Sequence, residues 1–164
     1  MPVIDGADAV ARNVERLIRG AHVLGVPVIV TEQYVKGLGR TIEPLRRALE
    51  ETSGYVAIEK LTFSAYGSAE FLTELRLSRR TQVLLCGIEA HVCVHQTAID
   101  LLTAQLDVHL AVDAVSSRAA HNKEIAVQRL DKGGAKLTST EMALFELLGT
   151  AGTEEFRAIS KLVK

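Results

Sequence analysis

Apolar positions along this chain switch repeatedly between helical spacing and short continuous runs. Val10, Val14, Leu17, Ile18 and Ala21 recur at the 3.6-residue period and predict a helix over residues 7–24 that Gly25 ends. The same reading predicts helices over residues 43–51, 68–75, 92–104, 123–132 and 140–148. Between them lie bounded apolar runs at residues 27–31, 55–58, 82–86, 108–112 and 135–138, which read as buried strands. Strand and helix alternate throughout. That order predicts βαβ units, hence a three-layer, Rossmann-like α/β fold with a mostly parallel five-strand sheet covered by helices on both faces. Residues 153–164 read as a final short helix, docked on the body or extended to a neighbouring subunit.

Composition narrows the class. At 164 residues the chain reads as a single domain, able to bury about two-thirds of its unfolded surface. It is 48% hydrophobic with 19 basic and 20 acidic residues, so neither disorder nor a nucleic-acid footprint is expected. No apolar run approaches the roughly 20 residues of a membrane span, and no basic stretch followed by an apolar core opens the chain. Cys86 and Cys93, one on a strand and one on a helix, suit neither a disulfide nor a metal pair. A cytoplasmic setting is the default expectation. Ser160-Lys161-Leu162 spells a peroxisomal address but stops short of the C-terminal position that such a signal needs.

The chemistry centres on Gly87-Ile88-Glu89-Ala90-His91-Val92-Cys93-Val94, which follows the run Val83-Leu84-Leu85-Cys86. Strand, sharp turn, then a helix start places Cys93 where unpaired N–H groups and the helix dipole favour a thiolate. That is the geometry of a nucleophile elbow. Position alone fits a small buried hydrophobe equally well. Cys86, inside the strand, reads as core. Lys60 follows another strand, so Lys60 and Cys93 converge on the carboxyl edge of the sheet, where ligands bind in such folds. His91 and His95 flank Cys93 but point elsewhere on a helix, and no histidine spacing suggests a metal. Gly37-Leu38-Gly39-Arg40-Thr41 lacks the Gly-Lys-Ser/Thr ending of a phosphate loop. It reads as a mobile loop near the active edge, with Arg40 free to meet an anion.

Three motifs carry a resemblance. The Cys93 segment, continuing through Gln96-Thr97-Ala98 to Asp100-Leu101, is similar to the nucleophile motif of the isochorismatase-like cysteine hydrolases, the superfamily of nicotinamidases and N-carbamoylsarcosine amidohydrolases. Glu59-Lys60-Leu61-Thr62-Phe63-Ser64-Ala65-Tyr66 resembles the family's Lys-x-x-Phe-Ser-Ala element, and Pro27-Val28-Ile29-Val30-Thr31-Glu32-Gln33-Tyr34 the branch with only this domain. The similarity runs from Val3 to Phe145. It implies a metal-free, cofactor-free hydrolase of a small amide or related carbon–nitrogen compound, working through a Cys93 thioester with Lys60 beside the thiolate. It further implies a cis peptide at Ile88-Glu89, an oxyanion hole from the N–H groups of Glu89 and Cys93, a pocket lined by Phe63 and Tyr66, and Gln33 at its rim. Homo-oligomers are common among such proteins.

One departure changes the expectation. The family's general base is an Asp on a first, central strand in an Asp-x-Gln context, and Met1-Pro2-Val3-Ile4-Asp5-Gly6-Ala7-Asp8 resembles the stretch that follows it. Asp5 reads instead as a helix N-cap and Asp8 as a first-turn charge. The sheet is then expected to show a gap, a re-paired five-strand arrangement, or a place for another chain's segment. Activity is expected to be impaired. The alternative is a non-catalytic oligomeric relative that binds or scaffolds, while isochorismate ether cleavage is a weaker third reading.

Overall fold

Apolar strands alternating with amphipathic helices bury both faces of their sheets, and the computed structural model, which describes residues 4–52 and 55–164, shows the resulting helix–sheet–helix layering. The elements run α1 (Ala7–Val23), β1 (Thr31–Gln33), α2 (Val35–Leu38), α3 (Glu43–Thr52), β2 (Ile58–Lys60) and α4 (Ala69–Ser78). Then follow β3 (Gln82–Ile88), α5 (His95–Thr103), β4 (Asp107–Ser116), α6 (Ala120–Lys132), β5 (Lys136–Thr138), α7 (Thr140–Leu148) and α8 (Glu154–Val163). A 3-10 turn at Ala65–Gly67 precedes α4, and a π-helical turn at Ala90–Val94 leads into α5.

Every strand pair is parallel, but the strands form two sheets: β1 beside β2, and β3-β4-β5. Among the described residues the five strands thus pair as two plus three, not as the single five-strand sheet expected from sequence. Two apolar clusters flank both sheets. Val10, Val14, Leu17 and Ile18 of α1 pack with Leu144 and Ile159 on one side, and Val28, Val30, Leu84 and Cys86 join them. On the other side Phe71, Leu101, Val108, Leu110 and Leu130 gather with Ile29, Val83 and Leu85. Successive residues of 28–30 and of 83–86 thus alternate between the same two helix layers, so both sheets lie in one middle layer.

Local chemistry accounts for where the boundaries fall. Ladder pairing of β1 is confined to Thr31–Gln33, downstream of the expected 27–31, because β2 is its only strand partner among the described residues. Residues 26–30 carry no strand assignment, although the Val30 carbonyl accepts from the Ile58 N–H. β2 likewise shifts from 55–58 to Ile58–Lys60, which makes Lys60 its last residue. β3 runs on to Ile88, with an irregularity between Leu85 and Gly87, and β4 is twice its expected length. The expected Asp5 cap of α1 is displaced: Gly6 is the N-cap at φ 62°, while the Asp5 N–H donates to the Ser117 carbonyl and its own carbonyl accepts from Ser116 Oγ. Part of the expected 37–41 loop is the short helix α2. Residues 1–3, which the resemblance sets just after its central strand, lie outside the described residues. α8, capped by Thr153 Oγ1 on the Phe156 N–H, docks on the body with Ile159 fully buried. Among the described residues no helix is long and apolar enough to cross a membrane.

Leu110 sits in the middle of β4, paired on both sides and fully buried. Leu110→Ala is expected to lower the unfolding free energy by about 2–5 kcal/mol in urea titrations. Leu38→Ala, at a side chain 70% exposed, should stay within about 0.5 kcal/mol. Equal effects at the two positions would contradict the assignment of β4 to the core.

Candidate active site

Three neighbouring backbone ends build the site. Gln33 closes β1 and Lys60 closes β2, and the ladder sets the two side by side. Cys93 stands in the π-helical turn that follows β3. Lys60 is only 7% exposed, and its ammonium spends all three protons on protein oxygens. Nζ donates to Gln33 Oε1 at 2.5 Å, to the Phe63 carbonyl at 2.8 Å and to the Thr62 carbonyl at 3.0 Å. Cys93 Sγ donates to the same Gln33 Oε1 at 3.7 Å. Gln33 is fixed in turn by its Nε2, which donates to the Leu61 carbonyl at 2.8 Å. One amide oxygen therefore holds the ammonium and the thiol together.

The electrostatics of the two cysteines and the lysine differ by location. Burial pulls the Lys60 pKa below the ordinary lysine value, and the neighbouring Cys93 opposes that shift. Cys86, which packs against the α1 cluster, has its thiol pushed up to about 11 by burial alone. Among the described residues no carboxylate forms a hydrogen bond or ion pair with Lys60 or Cys93.

The turn after β3 is held from two directions. Gly87 has φ +110°, a region that side chains disfavour, and the Ile88–Glu89 peptide bond is cis. The Glu89 carboxylate accepts from the Arg118 backbone N–H at 2.9 Å and from its guanidinium Nε at 3.2 Å. The Glu89 carbonyl accepts from the N–H groups of Val92 and Val94, which shapes the π turn. Opposite, Thr97 Oγ1 of α5 accepts from the Ala65 N–H at 2.9 Å, tying the nucleophile helix to the loop that carries the Lys60 acceptors. A buried hydroxyl on the apolar face of α5 was the available sequence signal for Thr97.

The remaining sequence-derived residues fall as follows. Phe63 is 53% exposed and contributes its carbonyl, while Tyr66 is half-buried against the core cluster. His91 Nδ1 lies 2.9 Å from Ser117 Oγ, and His95 Nε2 is buried with no partner among the described residues, so neither engages Cys93. Arg40 is not free for an anion: it pairs with Glu32 at 3.2 Å and Glu59 at 2.8 Å, and the Glu32 carboxylate is itself buried. A cleft of about 640 Å³ opens elsewhere, between the start of β2 and Glu70 and Glu74 of α4. No group of three His, Cys, Asp or Glu among the described residues is placed to hold a metal ion.

The chain is similar to known proteins along most of its length. Residues 3–142 match the isochorismatase domain family. A secreted isochorismatase effector from Phytophthora sojae is 41% identical over 94% of this chain and 74% of its own length. Isochorismatase domain-containing protein 2 of Bos taurus is 39% identical over 91% of this chain and 70% of its own. The structure of a Caenorhabditis elegans protein described as MAR1 ribonuclease superposes with a TM-score of 0.90 at 39% identity, covering 98% of this chain and 81% of that one. A pyrazinamidase/nicotinamidase from Streptococcus mutans shares the fold at 19% identity, with a TM-score of 0.69 over 80% of this chain and 86% of its own.

Brief iodoacetamide treatment near neutral pH, followed by peptide mapping, is expected to label Cys93 well ahead of Cys86, because the Cys86 thiol stays protonated and packed. Labelling of Cys86 at an equal or higher rate would remove Cys93 from the role that the geometry suggests.

Proposed function

Because this chain belongs to the isochorismatase domain family, we propose that it is a cysteine-dependent hydrolase of a small amide or related carbon–nitrogen compound. The observation that carries the reading is the oxygen of Gln33, which brings the Lys60 ammonium and the Cys93 thiol to one point at the carboxyl edge of the strands. Cys93 is the nucleophile. Its thiolate attacks the substrate carbonyl carbon, and the carbonyl electron pair moves onto oxygen. Backbone N–H groups of Glu89 and Cys93 are the proposed donors to that oxyanion, a role worth on the order of 10²–10³ in rate per donor. Collapse expels the amine, which leaves with a proton, and a thioester remains on Sγ. Water then attacks the thioester, releasing the acid and restoring the thiol.

Lys60 offers a fixed positive charge to the thiolate, and its three hydrogen bonds stop the side chain swinging into solvent. Phe63 and Tyr66 are the proposed side walls. The base that takes the thiol proton is the missing part, since no carboxylate touches the pair among the described residues. General acid–base help is typically worth about 10²–10⁴-fold. We therefore read these 164 residues as a weak catalyst by themselves. That same observation favours the second reading, a non-catalytic relative that binds through the retained site.

A small substrate suits the chain better than RNA, the substrate that the C. elegans relative's description suggests. With 19 basic and 20 acidic residues it lacks the excess of cations that phosphate binding exploits. A reducing cytoplasm would keep Cys93 as the free thiol that the mechanism needs. Exposed Tyr34, Leu38, Leu61 and Phe63 follow the ends of β1 and β2, and we assign this apolar surface to contact between copies in a homo-oligomer. Light scattering at micromolar concentration is expected to give more than the 17.8 kDa monomer mass; a stable monomer would contradict it.

Ammonia release from a panel of small carboxamides is the direct assay. Cys93→Ser is expected to abolish release, and Lys60→Met to lower it by about 10²-fold or more. The alkaline limb follows from the lysine. Its native pKa lies below the ordinary 10.5, so the charge that supports the thiolate is present at lower pH and is lost as pH rises through that depressed value. The rate should therefore fall before 10.5 in the parent, and Lys60→Met should erase that limb. Undiminished turnover by Cys93→Ser would overturn the mechanism.

A further inference from the structure

The start of α5 buries small and aliphatic side chains, Val94, Ala98 and Leu101, and one hydroxyl interrupts them. Thr97 is only 6% exposed. A buried hydroxyl costs free energy unless it is bonded, so its place on an apolar face needs a reason. Its Oγ1 accepts from the Ala65 N–H at 2.9 Å, and both residues are buried. Ala65 opens the 3-10 turn Ala65–Gly67, so this N–H has no partner inside the turn. The preceding residue cannot help, because Ser64 Oγ accepts from the Tyr66 N–H instead. Thr97 supplies the acceptor that the turn lacks.

What this bond connects is the reacting pair. Thr97 stands one turn beyond Cys93 on the same run of helix. Ala65 closely follows Thr62 and Phe63, whose carbonyls hold the Lys60 Nζ. Among the described residues, the Thr97–Ala65 bond is the only hydrogen bond that joins the π turn or α5 to residues 61–67. Gln33 joins the same two units at their side-chain tips. The contacts close a ring from Cys93 Sγ through Gln33 Oε1, Lys60 Nζ, the Phe63 carbonyl, the Ala65 N–H and Thr97 Oγ1, back along the helix to Cys93. Lysine carries its charge on a flexible four-carbon stem, so its acceptors decide where that charge stands. The ring fixes a spacing that neither segment fixes alone.

We propose that Thr97 is a positioning residue, whose hydroxyl sets the spacing between the Cys93 helix and the loop that aims the Lys60 ammonium. The inference rests on the reading of Cys93 and Lys60 as nucleophile and supporting charge. Thr97 itself bonds neither Sγ nor Nζ. A purely structural role would be exhausted by lost stability, since Ala65 would then need only some acceptor. Positioning demands more: the chemical step weakens while the fold and substrate affinity hold. Misplacing a reacting group by ~1 Å can cost about 10²-fold in rate. Loosening residues 61–67 has a second consequence. Burial holds the Lys60 pKa below its ordinary value, with Cys93 as the titratable group beside it. Water admitted to the ammonium relieves that penalty, so the alkaline limb of the rate moves up towards 10.5.

The test compares the parent chain with Thr97→Val, which keeps the shape and removes the acceptor, Thr97→Ala, which leaves room for water, and Thr97→Ser, which restores the hydroxyl. Thr153→Val, which removes an acceptor from the first turn of α8, controls for lost stability. On a small carboxamide, the Val and Ala variants are expected to lower kcat by about tenfold or more with KM changed less than about twofold. Thr97→Ser should recover at least about a third of the parent rate. The alkaline limb should move up in the first two variants and stay in place in the third. Iodoacetamide should alkylate Cys93 at least about threefold more slowly in Thr97→Val than in the parent, a readout that needs no turnover. A parent that releases no ammonia from any carboxamide would overturn the hydrolase reading, while alkylation still decides the role of Thr97. In the parent, hydrogen exchange at the Ala65 amide should be slowed by about 10²-fold or more, whether or not a variant folds. Four results would overturn the proposal: parent kcat and parent alkylation in Thr97→Val and Thr97→Ala; no recovery in Thr97→Ser; equal losses in Thr153→Val; or an unprotected Ala65 amide.

Discussion

A buried ammonium must be solvated by the protein, and that requirement organises the carboxyl edge of this fold. Lys60 meets it with one side-chain oxygen and two carbonyls from its own downstream loop. The loop can present those carbonyls only in a fixed course. Gln33 Nε2 holds it through Leu61, Thr62 Oγ1 bonds the Ser64 carbonyl, and Thr97 holds Ala65. Each of these bonds is modest by itself, about 0.5–1.5 kcal/mol net, but loss of any acceptor would leave a desolvated charge short of a partner. The conformation of residues 60–66 therefore follows from solvating one cation, and the position of Cys93 follows from sharing an acceptor with it.

That dependence explains how a site persists across a divided sheet. Among the described residues β1 and β2 touch the β3-β4-β5 unit through no strand pairing, so the helix layers and the site hold the halves in register. α1 does most of this: it packs on α3 at one end of the layer and on β4 in the middle, burying Val10, Val14, Leu17 and Ile18. Asn13 of α1 adds a hydrogen bond to the Asp113 carbonyl on β4. Gln33 is the polar counterpart, bonded to Lys60 on its own sheet and to Cys93 beyond β3. Apolar burial sets the two sheets in one plane, and the amide of Gln33 sets the reacting groups across the division.

Much of this was legible in the chain. Alternating periods predicted the strands in order, and the apolar run before Gly87 predicted that Cys93 follows a strand, where the turn between β3 and α5 holds it. The failures share a cause. Strand limits at 27–31 and 55–58 were read from apolar runs, whereas ladder hydrogen bonds decide them, and pairing exists only where a partner edge lies alongside. Gln33 read as a rim residue because sequence spacing carries no information about which side chain will reach a lysine 27 positions away. Arg40 read as free because its two carboxylate partners, Glu32 and Glu59, come from different strands that only the β1–β2 ladder brings together. Asp5 lost its capping role to Gly6 because its backbone is committed to the end of β4.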